Sequence, residues 1–598
     1  MGDGAVVVMA LATAAGALAS SLVRVPLLPA VALAAVGVLN RRPVAVIVGA
    51  ALLAMALGAR AEAGLRPPMV GQWRGTATLV GDPSNAFGGV RVDVRILGKR
   101  VEAQARGAAA ARLRSRLAGE QVSMAGELRP VPASARAYSF RRHVAAQLLV
   151  TEIGGWELGN GPSRLANGIR RTLLAGVASL PAERRALYAG FVLGDDRDQP
   201  VEITDDFRAA GLTHLLVVSG QNVAFVLALL SPLLRRLRLG ARLTAGLVLL
   251  LLFGVLTRWE PSVLRAEAMA GLALLSSTMG RPVSGLRILA LAVTGLLLVD
   301  PLLVGSLGFL LSVGASAGIL LLSRPIAALL PGPRPLAEAL GVTLAAQVGV
   351  APVLVPVFDG LPVASLPANL LAVPVAGPLM MWGIAAGLPA GIVGGPLARI
   401  VHVPTEIMVA WVAAVARWGA GLPLGRARLP HLLALATVTT GAFVARRTGR
   451  GGFVRGLAGA AVAVLVVPAV AARWPPAVDG RPLVSGAHLW RRGGTTVLVV
   501  DGSTTTSGRL MSALHNLDVR RLDVVVMARP GIAAARWIEP VLRRFPVGVL
   551  LAPTGNRLAG SVVPALGSHL VAGPLTIAVD AVAPNLTVRV GEARGPPH

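Results

Sequence analysis

Residues 205–230 read DDFRAAGLTHLLVVSGQNVAFVLALL. The stretch is hydrophobic enough to enter a bilayer, yet it holds His214, Ser219, Gln221 and Asn222. Polar side chains inside a membrane are costly and usually face a bundle interior or a water-filled path. At about 100° per residue, His214, Val218, Gln221 and Asn222 share one face of a helix expected over 211–233. Ser219-Gly220 loosens such a helix, and freed backbone is tolerated at that depth only beside protein or water. Two readings follow from these residues: ordinary hydrogen bonding between helices, or the polar lining of a translocation path.

Working outward, the whole chain carries the same apolar character. Of its 598 residues, 54% are hydrophobic and only 14% charged, with a mean hydropathy of +0.69. A soluble protein carries about 25% charged residues. Charge-free runs at 4–23, 43–59, 301–323, 339–358 and 456–472 approach the ~20 residues that cross a hydrocarbon core. Residues 5–23 could pass for a signal peptide, but they lack a basic leader and further apolar runs follow, so the expectation is a retained helix. The absence of cysteine excludes disulfides and thiolate metal sites. A net charge of +28 invites a nucleic-acid reading. It weighs little alone, because Lys99 is the sole lysine, GC-rich coding enriches arginine, and arginine also collects in cytoplasmic loops.

Four zones divide the chain. Residues 1–60 hold three apolar runs separated by Arg24 and by Arg41 with Arg42. In 61–160 the stretches TATLV (76–80), VRVDVRIL (90–97) and GEQVSMAGELRPV (119–131) alternate like strands, with GDPSNAFGG (81–89) as a turn. A small β-barrel of the OB type fits this zone. Residues 161–474 are helical, and 475–598 alternate strand-like TVLVV (496–500) and DVVVM (523–527) with helix-like pieces, as an α/β domain does. The fold class expected is therefore a polytopic α-helical membrane protein with two appended domains.

Arginine placement gives a topology. Arg235, Arg236, Arg238 and Arg242 lie inside and RWEP (258–261) outside; Arg281 and Arg287 inside, Asp300 outside; Arg324 and Arg334 inside, Asp359 outside. The β-rich zone is then extracytoplasmic. Residues 360–398 form a charge-free run broken by Pro362, Pro367, Pro374, Pro378, Pro389 and Pro396. They are either two helices or one crossing plus a re-entrant piece, for roughly eleven to fourteen crossings in all at ~20 residues each. The second option puts Arg446, Arg447, Arg450 and Arg455 inside and the C-terminal domain outside.

The string FRAAGLTHLLVVSGQNVA (207–224) resembles the signature of the ComEC-type competence proteins, through Phe207, Gly211, His214, Leu215, Ser219 and Gly220. Many members carry Leu-His after Ser-Gly, where this chain has Gln221-Asn222. Further motifs follow in order. ERRALYAGFVLGDD (183–196) is similar to the family's approach segment. PSVLRAEAMAGLALL (261–275) is similar to its Ser-x-x-Arg-Ala helix, through Ser262, Arg265, Ala266 and Met269. DPLLVGSLGFLLSVGASAGIL (300–320) matches through Asp300, Pro301, Gly308, Phe309, Leu311 and Ser312, and ASLPANLLAVPVAGPL (364–379) through Asn369 and Pro374.

That resemblance implies a plasma (inner) membrane channel that passes single-stranded DNA inward during natural transformation. It implies an outer DNA receptor and a cytoplasmic ATP-driven translocase as partners, and leaves a homo-oligomer open. Path candidates are His214, Ser219, Gln221, Asn222, Arg265, Glu267, Gln347 and Asn369. Arg265 and Glu267 sit near a helix start, where snorkelling to the interface is the plainer reading, since a charge at a helix centre costs about 2.5–3.5 kcal/mol. Arg91, Arg95, Arg112, Arg114 and Arg116 are candidates for DNA contact in the OB-like zone, which is poor in aromatics.

Family members often end in a metallo-β-lactamase-like hydrolase, and residues 482–503 with 520–531 resemble its opening strands. Its two-metal chemistry needs a His-x-His-x-Asp-His cluster after the second strand. Here ARPGIAAARW (528–537) holds neither histidine nor acid, and His488, His515 and His569 lack ligand spacing. The expectation is a degenerate, non-catalytic domain with no metal and no cofactor. Lys99 lies in GKRV without a following Ser or Thr, so there is no P-loop. The acids Asp195, Asp196, Asp198, Asp205 and Asp206 read as a solvated loop before a helix. The rival functions are a secondary transporter for a small solute and a membrane-anchored metallohydrolase or nuclease.

Overall fold

The computed structural model describes residues 1–23, 25–86, 89–280, 283–358, 360–431, 477–501, 507–555 and 558–592, with single positions between 434 and 441. Arg24, Arg281, Asp359, Arg446, Arg447, Arg450, Arg455 and the apolar run 456–472, used above for topology, lie outside the described residues.

Three helices open the chain: α1 (Asp3–Leu18), α2 (Leu27–Leu39) and α3 (Pro43–Gly64). Their small residues set the packing. A Cβ on Gly49 would lie 2.6 Å from the Ala34 backbone, and one on Gly16 would run into the Ala51 carbonyl. Backbone-to-backbone approach of this kind is how apolar helices associate where the hydrophobic effect gives no drive.

A β-rich unit follows, with β1 (Gly71–Leu79), β2 (Ser84–Ala86), β3 (Gly89–Ile96), β4 (Lys99–Arg106), α4 (Gly107–Arg114), β5 (Gln121–Pro130), α5 (Ala133–Arg141) and β6 (Val144–Glu157). The strands run in the order β1-β5-β6-β4-β3-β2. β1 also pairs with β3, Thr78 opposite Arg95 and Leu79 opposite Val94, so both of its edges are bonded. Alternation drives the pairing: Val90, Val92, Val94 and Ile96 all point into one core with Leu79, Val101, Met124 and Leu148. α4 adds Ala109, Ala110 and Leu113 to the same core.

The helical region contains α6 (Gly161–Gly176), α7 (Ala182–Leu193), α8 (Val201–Ala209), α9 (Gly220–Leu234), α10 (Leu239–Leu256), α11 (Pro261–Thr278), α12 (Gly285–Val299), α13 (Leu307–Leu329) and α14 (Arg334–Phe358). It continues through β7 (Leu361–Pro362), α15 (Ser365–Val393), α16 (Gly395–Val401), α17 (Val403–Gly421) and β8 (Arg426–Ala427). Among the described residues six helices are long and apolar enough to span a membrane, or seven if α16 and α17, bent by 47°, count as one. The chain is a polytopic membrane protein. α2, α9 and α12 are apolar but only 13, 15 and 15 residues long, short of the ~20 needed. Within the charge-free run 360–398, α15 is unbroken for 29 residues with Pro374, Pro378 and Pro389 inside it, and α16 starts at Gly395. Membrane helices tolerate such prolines because neighbouring groups satisfy the freed carbonyls.

The final zone holds β9 (Val478–Val484), β10 (Ala487–Arg492), β11 (Thr495–Val500), α18 (Ser507–Asn516), β12 (Leu522–Met527), α19 (Ile532–Arg544), β13 (Val547–Leu551), β14 (Ser561–Val562), β15 (His569–Ala572), β16 (Leu575–Ala581) and β17 (Thr587–Glu592). β9 to β11 pair antiparallel and β11 to β14 parallel, and β15-β16-β17 form a second sheet. One face of the larger sheet buries Leu498, Val500 and Val525 against Leu510, Leu514, Ile538 and Val541 of the helices. The other buries Val497, Val524 and Val526 against Leu575, Ile577 and Val579 of the second sheet. Burial on both faces is why these strands read as continuous apolar runs.

Two compact units result, one of Met1–Asp198, His214–Leu354 and Ala372–Val412, the other of Gln199–Thr213, Val355–Leu371 and Ala413–His598.

Candidate functional site

The signature segment does not form the single helix expected over 211–233. α8 ends at Ala209, Gly211 takes a left-handed turn (φ +70°), and Thr213–Leu215 make one 3-10 turn. α9 starts only at Gly220, because Ser219 caps it: the Ser219 hydroxyl accepts from the Gln221 N–H at 3.3 Å. His214 therefore stands on a separate turn, and the common face with Gln221 and Asn222 is lost. Ser219-Gly220 begins a helix rather than loosening one.

His214, on the 3-10 turn, and Gln221, in the first turn of α9, are exposed on either side of the unwound stretch. Asn222 is buried; its Nδ2 donates to the Phe191 carbonyl at 3.3 Å, and its Oδ1 accepts from Ser219 Oγ at 3.3 Å. Ser262 Oγ donates to the Val218 carbonyl at 3.0 Å, so α11 holds the extended segment just before the cap.

Arg265 and Glu267 are not interfacial groups reaching for water; they are 7% and 8% exposed. Arg265 Nε donates to Ser312 Oγ at 2.7 Å and Nη1 to Met269 Sδ at 2.9 Å. A Cβ on Gly220 would lie 2.5 Å from Arg265 Nη2, so α9 and α11 approach this closely only with glycine there. Glu267 turns the other way, toward Gly254 and Trp259, and its Oε1 has no hydrogen-bond partner among the described residues. The structure thus brings Ser219, Asn222 and Arg265 together. Gln347 lies within α14. In the second unit, Asn369 is buried and donates to the Ser365 carbonyl one turn back at 2.7 Å.

Of the five candidate arginines in the β-rich zone, Arg95, Arg112 and Arg114 are exposed. Arg91 lies 3.9 Å from Glu102, Arg112 donates to the Ile153 carbonyl at 2.9 Å, and the Arg116 guanidinium stacks 4.0 Å over Trp156.

One cluster went unread in the sequence. Arg170, 1% exposed, donates to Asp82 at 2.9 Å and to Asp195 at 3.1 Å, while its other nitrogen serves the carbonyls of Leu193 and Leu256. Arg197 donates to Asp195 at 2.7 Å, and Arg258 to Asp82 at 3.0 Å and to Asn167 at 2.8 Å. Burial pushes the Asp82 carboxyl up, but Arg170, Arg258 and Arg197 outweigh it and hold it at about 2. The signal was present: Arg170 lies on the same helical stripe as Ala166, Leu173 and Val177, all fully buried.

The acidic run is a solvated loop only in part: Asp196 and Asp198 are exposed. Asp195, Asp205 and Asp206 are buried. In the second unit Asp206 meets Arg544 at 2.8 Å and Asp205 meets His515 at 3.0 Å. Partners hundreds of residues away in the chain are invisible to local pattern.

A second unread group is His402, fully buried at the break between α16 and α17. Its Nδ1 is 3.1 Å from Thr405 Oγ1, and its ring stands edge-on to Tyr188 at 5.9 Å. Among the described residues no three His, Asp or Glu side chains are grouped to hold a metal ion. The described histidines and acids of the C-terminal zone do not group as a two-metal centre needs.

Residues 191–448 match the model of the Competence protein family. ComE operon protein 3 of Bacillus subtilis (strain 168) is 27% identical over 279 residues, which cover 46% of this chain and 35% of that protein. The uncharacterized protein YcaI of Escherichia coli (strain K12) is 29% identical, over 33% of this chain and 28% of its own length. An uncharacterized protein of Aquifex aeolicus (strain VF5) is 34% identical, over 33% and 45%. The matched spans cover less than half of each relative. No solved structure matches significantly. The polar break at the head of α9, the buried Arg265 and the family match all fall on one stretch, residues 191–448, the part of the chain that matches the Competence protein family.

Proposed function

We propose that this chain is a channel of the plasma membrane that passes single-stranded DNA into the cytoplasm during natural transformation. The observation that carries the reading is the unwound stretch 216–219 at the head of α9, inside a Competence-family domain. Phosphates cannot cross hydrocarbon, and irregular backbone within a bilayer lies against protein or water. His214 and Gln221, exposed on either side of this stretch, are the side chains we assign to the wet path, with Ser219, Asn222 and Arg265 beside them; Glu267, Gln347 and Asn369 remain secondary candidates.

The β-rich zone, whose first strand is bonded on both edges, we read as an OB-like barrel on the outer side that meets the incoming strand. Exposed Arg95 and Arg114 and the Arg116–Trp156 stack support that role. The C-terminal zone we read as a degenerate metallo-β-lactamase-like domain, so the chain is not an enzyme and takes no cofactor. Domain limits at 1–60, 61–160, 161–474 and 475–598 follow. An outer DNA receptor and a cytoplasmic ATP-driven translocase are the partners proposed.

Uptake of labelled DNA into a nuclease-protected cytoplasmic pool tests this. His214→Ala and Gln221→Ala should each cut internalisation at least tenfold with surface binding retained. Unchanged internalisation in both would reject the path. Cleavage of DNA by the purified chain with added zinc or manganese would reject the non-enzymatic reading.

A further inference from the structure

Arg265 is a cation buried without an anion. No carboxylate among the described residues pairs with it, and its Nη2 has no hydrogen-bond partner there, although Nε and Nη1 are engaged by Ser312 and Met269. Nη2 points at the first turn of α9, where a Cβ on Gly220 would lie 2.5 Å away and would also meet Ala266 Cβ at 2.9 Å. That turn is the amide end of a 15-residue helix. A helix N-terminus carries partial positive charge, so two positive features face each other. A buried charge without a counter-ion destabilises a fold, and the neighbouring helix end adds to the repulsion. The Ser312 hydroxyl accepts from Arg265 Nε and can donate its own hydrogen to an oxyanion. Glu267 does not relieve the charge, because two residues along a helix turn it toward Trp259 instead.

We propose that Arg265 and the first turn of α9 form a phosphate-diester site, the point at which the strand's backbone is held during passage. This rests on the DNA-channel reading for its substrate. The planar guanidinium suits a phosphate better than an ammonium does, since its fork can engage two oxygens at once. Gly220 keeps the space between guanidinium and helix end open, which any side chain would fill.

The probe is dimethyl phosphate, titrated into the full chain purified in a maltoside detergent free of phospholipid, with the thermal midpoint read at each step. The wild-type midpoint should rise saturably with the probe, because a ligand that binds only the folded state stabilises it. Arg265→Met and Gly220→Ala should lose the rise, and Arg265→Lys should keep part of it at a several-fold weaker apparent affinity. An equal rise in wild type and Arg265→Met, or no rise in wild type, would overturn the site. A parallel arm adds phosphatidylglycerol: a rise with lipid and none with dimethyl phosphate would make this a headgroup site and overturn the assignment to the strand. If Arg265→Met does not fold, Arg265→Lys against Gly220→Ala decides. A chain that binds dimethyl phosphate through Arg265 yet imports no DNA would sink the channel reading and leave the site standing.

Discussion

Arg170 Nη2, at the centre of α6, donates to Asp82 Oδ2 at 2.9 Å. The bond joins an amphipathic helix to the turn between β1 and β2, 88 residues earlier in the chain. Arg170 also satisfies the last carbonyl of α7 and that of α10. One fully buried side chain therefore fixes four segments, and among the described residues its charge is balanced by Asp82 and Asp195. Removing one partner of a buried pair leaves the other uncompensated, at a cost of about 3–5 kcal/mol. Arg170→Met should lower unfolding stability by roughly 3 kcal/mol, whereas Arg164→Met, at an exposed position of the same helix, should lower it by less than about 1 kcal/mol. Chemical denaturation of the purified protein measures both, and equal effects would contradict the argument.

Acid should loosen the same cluster. The Asp82 carboxyl is held at about 2, below its ordinary 3.8, so it binds its proton less readily when folded than when unfolded. The stability it contributes is fully present above about 3.8 and is lost as pH falls through 2. The size is on the order of 2 kcal/mol. Thermal midpoints taken from pH 5 to pH 2 should fall more steeply in wild type than in Asp82→Asn. Parallel curves would show that the pairing carries no such linkage.

How much of this was legible depends on the range of the cause. Strand alternation and apolar runs are local, and β3, β11 and β12 fall within one residue of the stretches quoted for them. The head of α9 was misread for a local reason too. Hydropathy runs smoothly across Ser219, and a continuous apolar string masks a capping serine. Asp205 and Asp206 were misread for a distant reason, because His515 and Arg544 lie more than 300 residues along the chain. Arg265 fell between the two. Its motif was visible, but its burial without an anion depends on three helices meeting.

The glycines of α13 and α14 give a sharper test of helix packing. A Cβ on Gly349 would run into the Gly314 carbonyl, and one on Gly318 into the Ala345 carbonyl. Backbone cannot move aside as a flexible side chain can, so the helices must separate. Overpacking of this kind costs about 1–3 kcal/mol. Gly349→Ala should destabilise by that amount, while Gly240→Ala, with nothing within 4 Å of its new Cβ, should be neutral or slightly stabilising. A neutral Gly349→Ala would mean the two helices are not in backbone contact.

The ion pairs of α8 predict a specific coupling. Asp206 meets Arg544 at 2.8 Å, Asp205 meets His515 at 3.0 Å, Glu202 meets Arg543 at 3.1 Å, and Arg208 donates to Ser512 at 2.6 Å. Every face-to-face contact here runs from α8 to α18 or α19, so the α/β domain grips the short helix that leads into the signature segment. Surface pairs are worth little, but Asp205 is 1% exposed and Asp206 7%. Asp206→Ala and Arg544→Ala, made singly and together, should show an interaction energy of about 1–3 kcal/mol in a double-mutant cycle. The single variants should also lower DNA internalisation, because a released α8 no longer fixes the left-handed turn at Gly211 within the signature segment. Additive single effects on stability would show that the pair is not coupled. Full internalisation with the pair broken would show that the α/β domain holds α8 for stability alone.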